Sequence, residues 1–217
     1  MLILLPPSEG KAHPEVGKPV DLAALALAEE LGERREQLIA ALDPGLLEAP
    51  AAPAAEVYTG VLFGRLELPQ LSVAARRKVL IASALWGVVR PDDRIPYYKL
   101  PPKEKPKGIG PLAKFWRPAL AAALPDEEGD LIVDMRSGAY ATMWKPQRAT
   151  LLPVRAFTEV DGERKAVSHM AKAVRGDVTK ALLRAKKAPS DPKGAAAIAE
   201  KAGFAVELRD GSLDVIV

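Results

Sequence analysis

No helix and no central strand runs through Arg90 to Lys107, because prolines stand at 91, 96, 101, 102 and 106. Proline locks φ and removes a backbone donor. The wider stretch from Leu85 to Leu120, LWGVVRPDDRIPYYKLPPKEKPKGIGPLAKFWRPAL, still carries Trp86, Tyr97, Tyr98, Phe115 and Trp116, in a chain only 5% aromatic. From Arg90 to Pro118 eight Lys/Arg stand against three Asp/Glu. A loop that is proline-stiffened, aromatic-pinned and basic has the marks of a working surface rather than a slack connector.

The segments around it alternate between strand and helix. Met1–Leu5, Lys78–Leu85 and Asp130–Asp134 are apolar runs that read as strands, the second buried on both faces. Asp21–Leu42 reads as a helix capped by Asp21, and Leu112–Leu124, Met170–Lys187 and Pro192–Ala202 as further helices. Glu48–Ala55 reads as a connector and Val57–Gly64 as strand-like or a short buried turn. Asp161-Gly162 and Asp210-Gly211 are two hairpin signals. The expectation is one domain over residues 1–217 of the α/β class, a mixed sheet with flanking helices.

Composition removes whole classes of chemistry. The chain has no cysteine, so disulfides, thiol peroxidase chemistry, thiolate metal sites and iron–sulfur clusters are excluded. His13 and His169 are its two histidines, too few for a multi-histidine metal site. No metal and no cofactor are expected. Prolines 6 and 7 interrupt the opening apolar run, and no run approaches a membrane span; a cytoplasmic protein without a membrane partner is expected. The net charge of +3 is unevenly spread: residues 1–70 hold five Lys/Arg against eleven Asp/Glu, whereas residues 136–187 hold twelve against four. Segregated positive charge points to a polyanionic partner, DNA above all.

Four polar clusters carry candidate chemistry. Ser8, Glu9 and Lys11 follow the first strand; Gly10-Lys11 is not a P-loop, since the upstream glycine is missing and Ala12 replaces the hydroxyl. Arg136, Ser137, Tyr140, Lys145 and Arg148 follow the strand ending at Asp134, and His169, Lys172, Arg175 and Gly176 open the basic helix. In Lys107-Gly108-Ile109-Gly110-Pro111 the glycines have the spacing of a helix–hairpin–helix turn, whose backbone N–H groups reach a phosphate. The nucleic-acid-binding candidates are Lys105, Lys107, Gly108, Gly110, Lys114, Arg117, Lys172 and Arg175. The pocket candidates are Ser8, Glu9, Lys11, Tyr58, Thr59, Arg90, Arg136, Ser137, Tyr140, Lys145 and His169. Lys11, Lys107, Asp134, Tyr140 and Lys145 are candidates for catalysis, and loops after parallel strands converge at one sheet edge, where ligands bind.

The motifs MLILLPPSEGK at 1–11, VYTG at 57–60, LWGVVRPDD at 85–93 with Pro96-Tyr97, Phe115-Trp116, DMRSGAY at 134–140 with Lys145-Pro146, and SHMAKAVRG at 168–176 resemble the YaaA (DUF328/UPF0246) family. The resemblance runs in order from the first residue into the last third of the chain. It implies protection against hydrogen peroxide with lowered intracellular free iron, an α/β fold with a helix–hairpin–helix element, and DNA binding, here through a basic cleft on duplex or distorted DNA. The short insert from Pro101 to Pro106 departs from some members. Without thiols or a histidine set, protection would act through DNA or indirectly. Two other readings stay open. One is an enzyme acting on DNA or on a small nucleotide or nucleobase, with Lys107 and Asp134 loosely echoing glycosylases. The other is a stress-linked interaction protein.

Overall fold

The computed structural model describes residues 1–136, 138–160, 163–167 and 169–217. Ser137, the Asp161-Gly162 turn, Ser168 and the side chain of His169 lie outside the described residues.

In chain order the elements are β1 (Leu2–Leu5), α1 (Ala28–Leu42), β2 (Ala51–Pro53), α2 (Ala54–Val57), α3 (Val61–Leu66), α4 (Val73–Arg76), β3 (Val79–Ser83), β4 (Gly87–Val89) and β5 (Arg94–Pro96). There follow α5 (Leu112–Ala123), β6 (Leu131–Asp134), β7 (Thr150–Val160), β8 (Glu163–Ala166), α6 (His169–Arg184), α7 (Pro192–Lys201), β9 (Ala205–Arg209) and β10 (Ser212–Ile216). An eight-stranded sheet runs in the order β4-β3-β1-β6-β7-β10-β9, with β8 paired to β7. Its centre, from β3 through β1, β6 and β7 to β10, is parallel, and β4, β8 and β9 join antiparallel.

Every residue of β3 and β6 is buried, as continuous apolar runs require when both sheet faces are covered. Helices α1 and α5 pack together as one layer, while α3, α4 and α7 gather around α6 in a second. The hairpins expected at residues 150–168 and 204–217 form as β7–β8 and β9–β10.

The proline-rich stretch is pinned as its aromatics suggest. Trp86 and Trp116 are fully buried, Trp116 Nε1 donates to the Ala84 carbonyl at 2.8 Å, and Tyr98 meets the Trp86 ring edge-on. Gly87 sits at φ +72°, and a Cβ there would lie 2.9 Å from the Trp116 ring. Only glycine serves where the backbone is left-handed and a ring lies against it.

Three local expectations differ from the structure. Asp21 caps a short 3₁₀ turn, Leu22–Ala24, and not a helix reaching Leu42. Leu27 then adopts a left-handed conformation before α1 begins. The break is held from a distance: Ala26 N donates to Asp93 at 3.0 Å and its carbonyl accepts from Arg35 Nη2 at 2.8 Å. The Glu48–Ala55 connector contains β2, which pairs with β5 in a small second sheet, and Ala54 opens α2. Residues 57–64, read as strand or turn, close α2 and open α3.

The helix–hairpin–helix element is not found. Gly108 and Gly110 both stand at φ +80° and lead into α5, but Pro101–Glu104 and Pro106–Gly110 are turns closed by 3.0–3.1 Å backbone bonds. No helix lies between Arg90 and Gly108. Prolines 101, 102 and 106 are the reason, since none of them donates to a helix ladder.

Candidate functional site at the strand ends

Because β1, β3 and β6 are parallel neighbours, the loops leaving their carboxyl ends share one edge of the sheet. The loop after β1 is held against the end of α2. Ala12 N donates to the Val57 carbonyl at 2.8 Å, Thr59 N to the Gly10 carbonyl at 3.2 Å, and Lys11 forms a β-bridge with Tyr58. The segment after β5 brings in Tyr98. Tyr58, 1% exposed, and Tyr98, 4% exposed, join hydroxyls at 2.7 Å, and Tyr98 meets Ser83 Oγ at 2.7 Å.

Counting donors orients the first of these bonds. Ser83 Oγ accepts from the backbone N–H groups of Leu85 and Trp86 at 3.2 and 3.0 Å, which occupies both of its lone pairs. Its own hydrogen therefore goes to Tyr98, and between the two phenols either hydroxyl can donate. One phenol hydrogen, that of Tyr58 or of Tyr98, is left without an acceptor among the described residues. Burial pushes the pKa of both phenols upward, so they act as neutral donors.

Lys11 Nζ lies 4.6 Å above the Tyr98 ring and 5.8 Å from the Tyr58 ring, and donates to the Ser8 carbonyl at 2.9 Å. Partial burial lowers the Lys11 pKa, opposed by the charge of Glu9. Tyr140 is half-buried beside them. Burial raises its pKa, and the neighbouring Tyr98 phenol and Glu9 carboxylate add to the rise. Glu9, Lys11, Tyr58, Tyr98 and Tyr140 thus form one cluster, running from an exposed carboxylate to a buried phenol.

Asp134 and Arg136 lie just beneath, 4% and 6% exposed. Arg136 donates Nε and Nη2 to the two Asp134 oxygens at 2.9 and 3.0 Å. Its remaining reach goes to the Tyr140 and Trp144 carbonyls at 3.2 and 2.9 Å. The guanidinium folds the loop that presents Tyr140, as a positioning residue, while Asp134 is engaged by Arg136 and not by Lys107. Arg175 approaches from α6: Nε donates to the Val154 carbonyl at 3.0 Å. Burial lowers its pKa against the pull of Asp134.

Other candidates lie apart. Thr59 and Lys145 are exposed at the rim, and Ser8 is half-buried there. Arg90 follows β4, which runs antiparallel to β3, and so stands at the opposite end of the strands. There it lines a cavity of about 340 Å³ with Arg77, Lys78 and Asp130. Lys105, Lys107, Gly108 and Lys114 are exposed along the loop and the start of α5, and Arg117 ties α5 to the Thr142 carbonyl at 3.0 Å. Lys172 is exposed on α6, and Arg65–Asp177 and Lys180–Glu67 ion pairs join α6 to the end of α3, so Lys180 is paired with a carboxylate. Among the described residues no group of three or more His, Asp or Glu stands ready to hold a metal ion, and no helix is long and apolar enough to cross a membrane.

Ser83, Tyr98, His13 and Arg35 escaped the site reading. Ser83 had one signal, a hydroxyl closing an all-apolar strand, and Tyr98 another, an aromatic in the proline-rich loop. His13, stacked on Tyr97 with ring centroids 3.4 Å apart, had none. Arg35 stands among charged neighbours in GERREQ, yet it is fully buried and donates to the carbonyls of Ala26, Trp86 and Val88. Burial lowers its pKa to about 10, with Asp93 and Glu30 opposing.

Fold and cluster together describe a mixed α/β protein with a donor-rich site on the carboxyl edge of its parallel strands and a basic loop alongside. The chain belongs to the YaaA peroxide stress family, also designated UPF0246: the family model described as "Peroxide stress protein YaaA" matches residues 16–207. It is 38% identical over 261 residues to a UPF0246 protein of Streptomyces coelicolor, covering 100% of this chain and 98% of that one. A UPF0246 protein of Corynebacterium efficiens is 34% identical over 244 residues, with the same shares covered. One of Corynebacterium glutamicum is 32% identical over 235 residues, covering 95% of each chain.

Proposed function

We propose that this peroxide stress protein binds DNA, duplex or distorted, through the basic surface of residues 99–117, and that its protective role runs through that contact. One observation carries the reading. Lys99, Lys103, Lys105, Lys107 and Lys114 are all exposed, and none has a carboxylate within ion-pair distance among the described residues. Five unpaired cations on a proline-stiffened loop lose little freedom on meeting a phosphate backbone. The left-handed Gly108 and Gly110 bring main chain, free of side chains, to the same place.

Binding of this kind is read through phosphates and not base edges. Affinity then falls with salt by roughly 0.9 log units per log unit of salt for each phosphate contact. A salt titration of fluorescence anisotropy on duplex and branched DNA should show Lys105, Lys107 and Lys114, changed together to alanine, weakening binding to all sequences alike and flattening the slope. Equal affinity and slope in the folded triple variant would refute the reading.

A second reading, an enzyme acting on DNA or on a nucleotide, is favoured by Lys11, whose amine is partly desolvated and in no ion pair among the described residues. It requires turnover of a labelled oligonucleotide or nucleotide that Lys11→Met abolishes.

A further inference from the structure

The strand-end cluster offers an unusual set of unused hydrogen-bonding groups. The Ser83, Tyr98 and Tyr58 hydroxyls leave one phenol hydrogen without an acceptor among the described residues, on side chains 1% and 4% exposed, and an acceptor brought to Tyr58 takes it by orienting the hydroxyls from Ser83 through Tyr98 to Tyr58. A buried donor without an acceptor costs stability unless something supplies one. Beside it Lys11 spends one N–H on the Ser8 carbonyl and has two more to give. The Tyr140 hydroxyl makes no hydrogen bond among the described residues, and the Glu9 carboxylate acts on both neighbours without pairing with Lys11. The site therefore presents three donor groups and a single acceptor.

Next to these groups is a flat surface. The His13 and Tyr97 rings stack at 3.4 Å with 20° between their planes. His13 stands two residues beyond Lys11, and Tyr97 adjoins the Tyr98 whose ring lies under the Lys11 amine. A phosphate dianion suits the donors but is repelled by Glu9. A planar ring with carbonyl acceptors and one N–H suits all of them: the carbonyls take Tyr58, Tyr140 and Lys11, Glu9 takes the N–H, and the exposed face of the stack takes the ring.

We propose that the strand-end cluster binds one unpaired nucleobase carrying a lactam or imide edge, thymine or guanine in DNA. Adenine, with an amino donor in place of the carbonyl, leaves the Tyr58 and Tyr140 donors facing a donor, which is the arrangement a polar site rejects most strongly. This inference rests on the DNA reading: residues 99–117 hold the backbone while the strand-end cluster receives a base that has left the stack.

The test uses the full chain and duplexes with a central unpaired stretch of thymines or of adenines, followed by anisotropy. Wild-type protein should bind the thymine bubble about tenfold more tightly than the adenine bubble, the range of one well-made base contact. Tyr140→Phe, which changes no charge, and Lys11→Met should each bring that ratio towards one, and Tyr140→Phe should leave affinity for fully paired duplex and its salt slope unaltered. The Lys105, Lys107 and Lys114 triple variant should do the reverse, lowering every affinity and keeping the ratio. A ratio near one in wild-type protein that binds duplex overturns the base site and leaves the DNA reading standing. A ratio that survives both variants overturns it as well. If no DNA is bound, the DNA reading fails by itself. The base site then stands only if dTMP, and not dAMP, shifts the resonances of Lys11 and Tyr140 in a labelled sample.

Discussion

Replacing Tyr98 with phenylalanine should destabilise the protein more than replacing Tyr58, although the two hydroxyls share one hydrogen bond. The difference follows from the number of bonds at each hydroxyl: Tyr98 joins both Ser83 and Tyr58, whereas Tyr58 joins Tyr98 alone. In the wild type one phenol hydrogen, that of Tyr58 or of Tyr98, lacks an acceptor. Tyr58→Phe leaves the hydrogen of Tyr98 without one, so the number is unchanged. Tyr98→Phe strands the hydrogen of Ser83 while that of Tyr58 remains, so the number rises by one. The double variant strands only Ser83. A buried polar group left unsatisfied costs about 1–3 kcal/mol. Tyr98→Phe should therefore lose about that much, Tyr58→Phe less than about 1 kcal/mol, and the double variant no more than Tyr98→Phe alone. Urea unfolding of the four proteins with a common m-value measures this as a double-mutant cycle. For a chain of this size each kcal/mol moves Tm by roughly 2–4 °C. Strictly additive losses, or a Tyr58 variant weaker than the Tyr98 one, would show that the hydroxyl chain runs otherwise.

Gly176→Ala should destabilise even though alanine is the better helix former by about 1 kcal/mol. The new Cβ would stand 2.5 Å from the Leu62 carbonyl and 2.9 Å from Arg65 Cβ, forcing α6 off α3; a more stable variant in urea melts would contradict this packing. Asp126 accepts from the N–H groups of Gln147, Arg148 and Ala149 at 2.7–2.8 Å, and these bonds lower its pKa. The unfolded chain thus binds the proton more readily than the folded one. The stabilisation is fully present above the ordinary aspartate value and is lost as pH falls through the lowered one. The stability gap between wild type and Asp126→Asn should shrink in urea melts taken from pH 5 down to pH 2.5. A gap constant with pH would refute the assignment.

Much of the fold was legible residue by residue. The apolar runs at 79–83 and 131–134 announce buried parallel strands because no polar face interrupts them, and Asp210-Gly211 announces a hairpin because Gly and Asp accept the left-handed backbone its turn needs. The prolines from Pro91 to Pro106 exclude helix from Arg90 to Lys107 by local geometry alone. The convergence of Lys11 with the loop after Asp134 was legible too, since parallel strands send their following loops to one edge. What only the tertiary structure decided depends on partners distant in sequence. The predicted helix from Asp21 breaks because Ala26 bonds to Asp93, 67 residues away. Arg136, a pocket candidate, Arg175, a nucleic-acid-binding candidate, and Arg35, singled out by nothing in the sequence, are all clamps on backbone carbonyls. Asp177 and Lys180 of α6 find their ion-pair partners in Arg65 and Glu67, more than a hundred residues earlier in the chain. Backbone preference and hydrophobic period are properties of a few adjacent residues, whereas the partner of a buried donor or charge is chosen by the whole packed chain.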